Sequence, residues 1–174
     1  MKKVEHGKTF DRNAANPPAF EIFHNTVTEG YPKHWHTAIE IIMPTRGEYE
    51  VVVGKDSYNL KEGDIIMINS GVVHGMRLVS QGERIVMLVE PGCVENQEEM
   101  ETIFLRLPAI YFKKEDEEDP FYLFLRSQIL ELVREYDNEG AVMTHRICTG
   151  LKELFSEFGR KGFSDANAQN TFGA

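Results

Sequence analysis

The stretch Gly30-Tyr-Pro-Lys-His34-Trp-His36-Thr-Ala-Ile-Glu40-Ile-Ile-Met-Pro-Thr-Arg-Gly47 decides the fold of this chain. Side chains two residues apart on a β-strand lie on the same face. A continuous strand from His34 to Met43 therefore places His34, His36 and Glu40 together. The small Ala38 between them leaves room for an ion. Two imidazoles and a carboxylate on one face are half of a metal shell.

A second stretch supplies a fourth ligand: Gly63-Asp-Ile-Ile-Met-Ile-Asn-Ser-Gly71-Val-Val-His74. Imidazole nitrogens and a carboxylate oxygen suit a divalent Zn, Ni, Fe or Mn ion. The sequence thus predicts a metal site at His34, His36, Glu40 and His74. The alternative is a polar face that only lines a pocket or satisfies itself by hydrogen bonds.

The two stretches resemble the two motifs of the cupin superfamily. The first has the form H-x-H, three residues, E, six residues, G, and the second G, five residues, x-x-G, two residues, H. The resemblance implies a small antiparallel double-stranded β-helix, or jelly-roll barrel, with the four ligands turned into its mouth. Asn69 and Leu78 depart from the usual proline and asparagine of the second motif, and Gly30 lies two residues closer to His34 than the pattern expects.

Length, net charge and cysteine content limit the kinds of function that the chain can have. The 174 residues suit one domain, or a domain with a helical appendage. A net charge of −9 argues against direct binding of nucleic acid, because phosphate contacts need clustered Lys and Arg. Cys93 and Cys148 form no motif, which favours a cytoplasmic chain with reduced thiols. We expect no membrane association, since no apolar run reaches transmembrane length and the N-terminus lacks a signal-peptide pattern.

The chain divides into four predicted regions. Residues 1–18 form a polar N-terminal arm, residues 19–92 the barrel, residues 93–159 a helical dimerisation region, and residues 160–174 a linker-like tail. In the barrel region, short strands are separated by turn signals every eight to twelve residues, which is typical of a sandwich or barrel.

Three further side chains are predicted to contact a ligand in the barrel. His24 alternates with apolar residues on the first strand, where it joins the pocket or is exposed. A hairpin that pairs residue 78 with residue 84 would turn Met76 and Arg84 inward beside His74. Arg84 would then contact an anion or a hydroxyl group, whereas a one-residue slip would turn it out to solvent.

The region after the barrel is predicted to be helical. A short helix with connecting coil is expected over residues 94–107, and Asp119-Pro120 starts a longer helix that runs to about Tyr136. A second helix runs from about Ala141 to Phe158. Apolar stripes on both helices predict a homodimer interface, unless both helices pack wholly on the barrel. The predicted interface residues are Leu125, Ile129, Leu132, Tyr136, Ile147, Leu151 and Leu154.

A barrel followed by two antiparallel helices is similar to the effector-binding and dimerisation domain of AraC-type bacterial transcription regulators. The resemblance implies that the chain binds a small polar effector and forms a homodimer, and that it reaches DNA only through a module not in this chain. A metal-dependent cupin enzyme (an isomerase, dioxygenase or decarboxylase) is the alternative. Such an enzyme needs a general acid or base beside the metal, and none of Glu48, Glu50 and Tyr58 is clearly placed as one. A structural homodimer with an empty barrel is a third hypothesis.

Overall fold

The computed structural model describes residues 19–26, 30–93, 108–114, 118–138 and 140–161. The predictions of an arm over 1–18 and a short helix over 94–107 lie outside these ranges, as does the predicted tail beyond residue 161. Within the ranges the chain forms nine strands, a 3-10 turn at Pro91–Cys93 and two helices. The strands are β1 (Phe20–Asn25), β2 (Tyr31–His34), β3 (Ile39–Arg46), β4 (Tyr49–Val53), β5 (Asp56–Leu60), β6 (Ile65–Ile68), β7 (His74–Leu78), β8 (Glu83–Val89) and β9 (Ala109–Phe112); the helices are α1 (Pro120–Asp137) and α2 (Met143–Lys161).

The strands form two antiparallel sheets that face each other. One has five strands in the order β1-β8-β3-β6-β9, and the other has four in the order β2-β7-β4-β5. The predicted fold class, a mainly β jelly-roll barrel followed by two helices, is confirmed. Side chains from both sheets fill the interior: Ala38, Ile42, Tyr49, Val51, Val53, Tyr58, Leu60, Ile66, Ile68, Met76, Val86, Leu88, Ala109 and Tyr111.

Two predictions about the barrel are wrong: the extent of one strand and the residue at which the barrel ends. The expected single strand from His34 to Met43 is interrupted: β2 ends at His34 in the four-stranded sheet, and β3 begins at Ile39 in the five-stranded sheet. The chain crosses between the sheets over residues 35–38. The barrel also does not end at residue 92, because β9 returns to pair with β6.

The predicted hairpin between residues 74–79 and 83–89 does not form. Strand β7 pairs with β2 and β4, whereas β8 pairs with β1 and β3 in the other sheet. The connection through Ser80–Gly82 is therefore a crossover at the rim of the barrel. The turn predicted at Gly47 is present, and the positive φ of +79° explains the glycine, since side chains disfavour that region.

The start of α1 follows the prediction. Asp119 caps the helix by accepting a hydrogen bond from the Phe121 backbone N–H at 2.8 Å, and Pro120 occupies the first helical position. The Nζ of Lys161 lies 2.8 Å from Asp119 Oδ2, so the end of α2 returns to the start of α1 and the helices are antiparallel. No helix in the described ranges is both long and apolar enough to cross a membrane.

Both helices pack on the outer face of the five-stranded sheet. Their apolar stripes meet the residues of β3, β6 and β8 that point away from the barrel interior, such as Ile41, Met67 and Met87. The predicted dimer interface is therefore wrong, because its residues belong to the core of the chain itself. The six aliphatic members are buried and the seventh is partly buried against the same core: Leu125, Ile129, Leu132, Ile147, Leu151, Leu154 and Tyr136.

Candidate functional site

Four predicted ligands converge at one end of the barrel. One ligand atom from each of His34, His36, Glu40 and His74 can be chosen so that all four lie within 4.8 Å of one another. His36, Glu40 and His74 are buried, and His34 is exposed at the rim. The ring centroids of His34 and His74 are 4.5 Å apart, and those of His36 and His74 are 5.0 Å apart. The sequence motif therefore corresponds to one compact cluster.

The elements that hold the cluster come from both sheets. His34 ends β2 and His74 begins β7, and these two residues pair with each other across the four-stranded sheet. Glu40 is on β3 of the five-stranded sheet, opposite Ile68 of β6. His36 lies on the crossover between β2 and β3. The site is thus built where the two sheets meet.

Backbone carbonyl groups fix the orientation of all three imidazoles. The Nδ1 atoms of His34, His36 and His74 lie 2.9, 2.9 and 2.8 Å from the carbonyl oxygens of Pro32, Ala38 and Val72, respectively. A carbonyl oxygen only accepts hydrogen bonds, so each Nδ1 carries a proton. In a neutral imidazole the Nε2 lone pair is then the free metal ligand.

The carboxylate of Glu40 faces two of these Nε2 atoms. Its Oε2 lies 2.9 Å from His36 Nε2 and 2.8 Å from His74 Nε2. A hydrogen bond to this carboxylate requires a proton on Nε2, whereas the contacts of Nδ1 with carbonyl oxygens require a proton there as well. A cation held by the Nε2 atoms and the carboxylate removes this conflict.

The pKa values of the cluster reflect this charge pairing. Burial works to raise the pKa of Glu40, but hydrogen bonds from His36 and His74 and their charges outweigh it and hold the pKa at about 2. Burial works to lower the pKa of His74, but its hydrogen bond to Glu40, the charge of Glu40 and the bond to the Val72 carbonyl raise it above the usual value. Glu40 is therefore ionised throughout the neutral range.

These residues fit a divalent cation. The cluster offers three neutral imidazole Nε2 atoms and one negatively charged carboxylate oxygen. This set of ligands suits Zn, Ni, Fe or Mn. With bonds of about 2.1 Å, adjacent ligand atoms in a shell are roughly 3.0–3.5 Å apart, which the cluster reaches by small side-chain movements. The backbone contacts of the three Nδ1 atoms supply the outer hydrogen bonds that metal-binding histidines require.

The other predicted ligand contacts separate into two groups. Met76 and Arg84 are buried and belong to strands whose alternate residues fill the barrel interior. Arg84 is inward although the hairpin used to predict it does not form. His24 is not a pocket residue: it shares the outer face of β1 with Ile22, and its Nε2 lies 3.7 Å from Glu83 Oε2 and 3.4 Å from Thr45 Oγ1.

The candidate acids and bases lie away from the cluster. Glu50 accepts a hydrogen bond from Ser57 at 2.7 Å, and Glu48 is exposed. Tyr58 is on β5, which β4 separates from β7, and burial together with the charge of Asp56 raises its pKa to about 12. Tyr58 thus lies in the barrel interior, whereas Glu48 is exposed at the surface.

Sequence reasoning missed two tyrosines beside Arg84. The Arg84 guanidinium carbon lies 4.9 Å from the ring centroid of Tyr49 and 5.4 Å from that of Tyr31. The alternation of Tyr49, Val51 and Val53 along β4 is a signal that could have placed Tyr49 inside the barrel. Tyr31 was hidden because it lies on a short edge strand whose partner, β7, is distant in sequence.

Comparisons with known proteins agree with this architecture. Residues 25–90 match the family model of the cupin domain. No curated protein is significantly similar in sequence. An apo form of ToxT from Vibrio cholerae matches with a TM-score of 0.53 and 13% identity, over 84% of this chain and 58% of that one. ToxT with a bound unsaturated fatty acid, from the same organism, matches with a TM-score of 0.51 and 13% identity, over 85% of this chain and 56% of that one.

These matches establish the fold. The region of residues 25–90 is a cupin domain, and the ToxT matches cover more of the chain than that domain alone. The predicted resemblance to a cupin barrel is confirmed over residues 25–90. The chain spans little more than half of the length of ToxT.

Proposed function

We propose that this chain, with its cupin domain, is the small-molecule-sensing part of a transcription regulator. The observation that carries the proposal is the enclosure of the barrel. Its interior holds a buried polar cluster, while both helices cover the outer face of the five-stranded sheet. A fold match to ToxT over 84% of this chain supports the same arrangement. DNA binding belongs to a module outside this chain.

Two features favour sensing over catalysis. Of the groups that could act as acid or base, Glu48 is exposed and Glu50 accepts a hydrogen bond from Ser57, so neither is placed to transfer a proton at a bound substrate. Three members of the cluster, His36, Glu40 and His74, are buried, and His34 is exposed. Such a site suits the binding of a small polar effector.

A divalent metal held by His34, His36, Glu40 and His74 is part of the proposal. When bound, such an ion supplies a Lewis acid that accepts an oxygen or nitrogen atom of the effector. The chain positions this site through the three carbonyl groups that hold Nδ1 of each histidine. The carboxylate of Glu40 neutralises one of the two positive charges of the ion.

We also propose that two copies of the chain associate through the outer surface of α1. Leu123 and Leu130 are 49% and 40% exposed and, being seven residues apart, lie on one face of the helix. This surface replaces the originally predicted stripe, which is buried. Two leucines bury far less than the ~1,600 Å² of a standard interface, so we expect weak association of the isolated chain.

Metal content and ligand response test the sensing proposal. Purified protein should contain about one divalent ion per chain, and the ion should be lost in His74→Ala but kept in the exposed control His145→Ala. A screened small metabolite should raise the melting temperature without being converted. Multiple turnover of a substrate, abolished by His34→Ala, would establish the metal-dependent enzyme instead. A reading frame downstream of Ala174 that encodes no helix-turn-helix would also count against the regulator.

A further inference from the structure

Arg84 is a buried cation with no hydrogen-bond acceptor among the residues that the structure describes. Its side chain is 0% exposed, and neither Nε, Nη1 nor Nη2 has a hydrogen-bond partner within the described ranges of the chain. Buried charges in proteins are normally paired, because an unpaired one loses its hydration without compensation. An arginine with three unsatisfied nitrogens inside a barrel therefore needs a specific explanation.

Two tyrosine rings surround the guanidinium group of Arg84. The rings of Tyr31 and Tyr49 lie 5.4 and 4.9 Å from the guanidinium carbon, which stabilises the positive charge through their faces. Ring faces leave the N–H groups without an acceptor. The Tyr49 hydroxyl is itself buried and has no partner within the described ranges. A guanidinium and a phenol that both lack a partner form a site complementary to an anion.

This site lies beside the histidine cluster, and Tyr31 adjoins both, because its ring centroid is 6.4 Å from that of His34. Tyr49 pairs with Leu78, whereas Val53, at the other end of β4, pairs with His74. Four residues along a strand correspond to about 13 Å. The apolar residues of the barrel interior include Val51, Met76 and Val86.

We propose that Arg84 and Tyr49 bind the carboxylate group of an effector whose remaining body is apolar. Arginine binds a carboxylate through two parallel N–H donors, and the Tyr49 hydroxyl can donate a third hydrogen bond. The single negative charge balances the single positive charge of Arg84. A neutral hydroxyl group would leave the positive charge of Arg84 uncompensated. A phosphate dianion would bring two negative charges against this single positive charge. The apolar body follows from the side chains next to the site.

Tyr31 gives the ligand a route to the site. It covers the guanidinium, is 44% exposed and lies on β2, an edge strand of four residues that pairs only with β7. Displacement of this ring opens Arg84 from the outside of the barrel. The carboxylate site rests on the proposed sensing function, because it specifies what the barrel senses.

Titration calorimetry with a homologous probe series tests the inference. Straight-chain carboxylates of two to eight carbons are compared with the alcohol and the phosphate monoester of each chain. At least one carboxylate should bind the wild type, and its alcohol should bind at least ~30-fold more weakly, as expected for loss of a charged hydrogen-bonded pair. Tyr49→Phe should weaken carboxylate binding about 5-fold by loss of one hydrogen bond.

Two Arg84 variants separate a binding role from a structural one. Arg84→Met should abolish carboxylate binding and raise the melting temperature of the ligand-free protein, because it removes an unpaired buried charge. Arg84→Lys should keep weak binding, since it retains the charge without the two-pronged geometry. A ligand-free Arg84→Met protein that unfolds at lower temperature, combined with equal binding of carboxylate and alcohol by the wild type, would assign Arg84 a structural role.

The result is distinguishable from failure of the sensing proposal. If no carboxylate binds but a neutral metabolite does, and Arg84→Met leaves that binding unchanged, the carboxylate site is wrong and the sensing function stands. If the phosphate monoester binds more tightly than the carboxylate, the ligand class is wrong. The exposed His145→Ala variant should keep carboxylate binding, so that the loss in Arg84→Met is specific to the site.

Discussion

Glu40 Oε2 lies 2.8 Å from His74 Nε2, although the two residues are on different sheets and 34 positions apart in sequence. The contact joins β3 of the five-stranded sheet to β7 of the four-stranded sheet at the mouth of the barrel. Because His36 contacts the same oxygen at 2.9 Å, the mouth is closed by a charged cluster. The folding stability of the barrel should therefore depend on protons and on metal.

The first prediction is that pH has opposite effects on the metal-free and the metal-loaded protein. In the metal-free protein the pKa of His74 is higher in the folded than in the unfolded state, so protonation of His74 stabilises the fold. This stabilisation is complete below about pH 6.5 and is lost as the pH rises through the pKa of His74 in the folded state. The ionised carboxylate of Glu40 stabilises the fold fully above pH 4.5, its pKa in the unfolded state, and this stabilisation is lost as the pH falls toward its folded-state pKa of about 2. The metal-free protein should thus be most stable between these limits.

Metal reverses the slope on the alkaline side. A divalent ion binds neutral imidazoles and displaces their protons, so its stabilisation increases as the pH rises through the histidine range. Urea unfolding between about pH 6 and pH 8.5 should show stability falling in the presence of chelator and rising with Zn²⁺. The exposed His145→Gln variant should behave as the wild type. Parallel slopes with and without metal would mean that the cluster does not bind the ion.

The second prediction concerns the carboxylate in the cluster. Glu40→Gln keeps the side-chain volume but removes the negative charge and one anionic metal ligand. We expect metal affinity to fall by at least ~100-fold, because changes in the outer shell of metal sites already cost 10–100-fold. Glu90→Gln is the matched control, since Glu90 contacts Thr37 Oγ1 at 3.2 Å and is not a member of the cluster. Competition with a coloured chelator measures both variants, and equal affinities would remove Glu40 from the shell.

The site residues were predictable from the sequence because ligand type and spacing are local properties. His34, His36, Glu40 and His74 converge as expected, even though the predicted continuous strand is broken after His34. Alternation along a strand cannot show where a chain leaves one sheet for the other, since that depends on partners far away in sequence. The same limitation explains why the hairpin predicted for residues 74–89 is absent while Arg84 still points inward.

The position of the helices could have been inferred from the strands. In β3, consecutive residues such as Ile41 and Ile42 are buried on opposite faces of the sheet, one under the helices and one in the barrel. A strand that is apolar on both faces requires a cover on its outer side. The apolar stripe of a helix shows that it is buried but not which surface buries it. The four-residue strand β9 was missed because it is short and follows the long connection after residue 93.

The third prediction concerns the junction that holds the helices together. Asp119 Oδ1 caps α1 through Phe121, and its Oδ2 contacts Lys161 at the end of α2 at 2.8 Å. Asp119→Ala should lower the free energy of unfolding by about 1 kcal/mol through loss of the cap. Asp119→Asn keeps a capping oxygen and loses only the half-exposed ion pair, so it should cost about 0.5 kcal/mol or less. Urea denaturation of both variants would show equal losses if capping were unimportant.

The last prediction distinguishes the buried from the exposed leucines of the helices. Leu132 and Leu151 are buried between the helices and the sheet, and Leu130 is 40% exposed on the other side of α1. Leu132→Ala and Leu151→Ala should each lower the free energy of unfolding by about 2–5 kcal/mol through loss of packing. Leu132→Glu and Leu151→Glu should be worse, because they bury an unpaired charge, and should yield aggregated or unfolded protein.

The exposed leucine should respond in the opposite way. Leu130→Glu should leave the melting temperature nearly unchanged, since surface substitutions usually cost within about 0.5 kcal/mol. It should also reduce any self-association of the wild type, measured by sedimentation velocity across a concentration series. Folded, monomeric Leu132→Glu and Leu151→Glu proteins would instead restore the buried stripe as the dimer interface and overturn the packing of α1 and α2 on the five-stranded sheet. Their circular dichroism spectra and sedimentation coefficients decide between these outcomes.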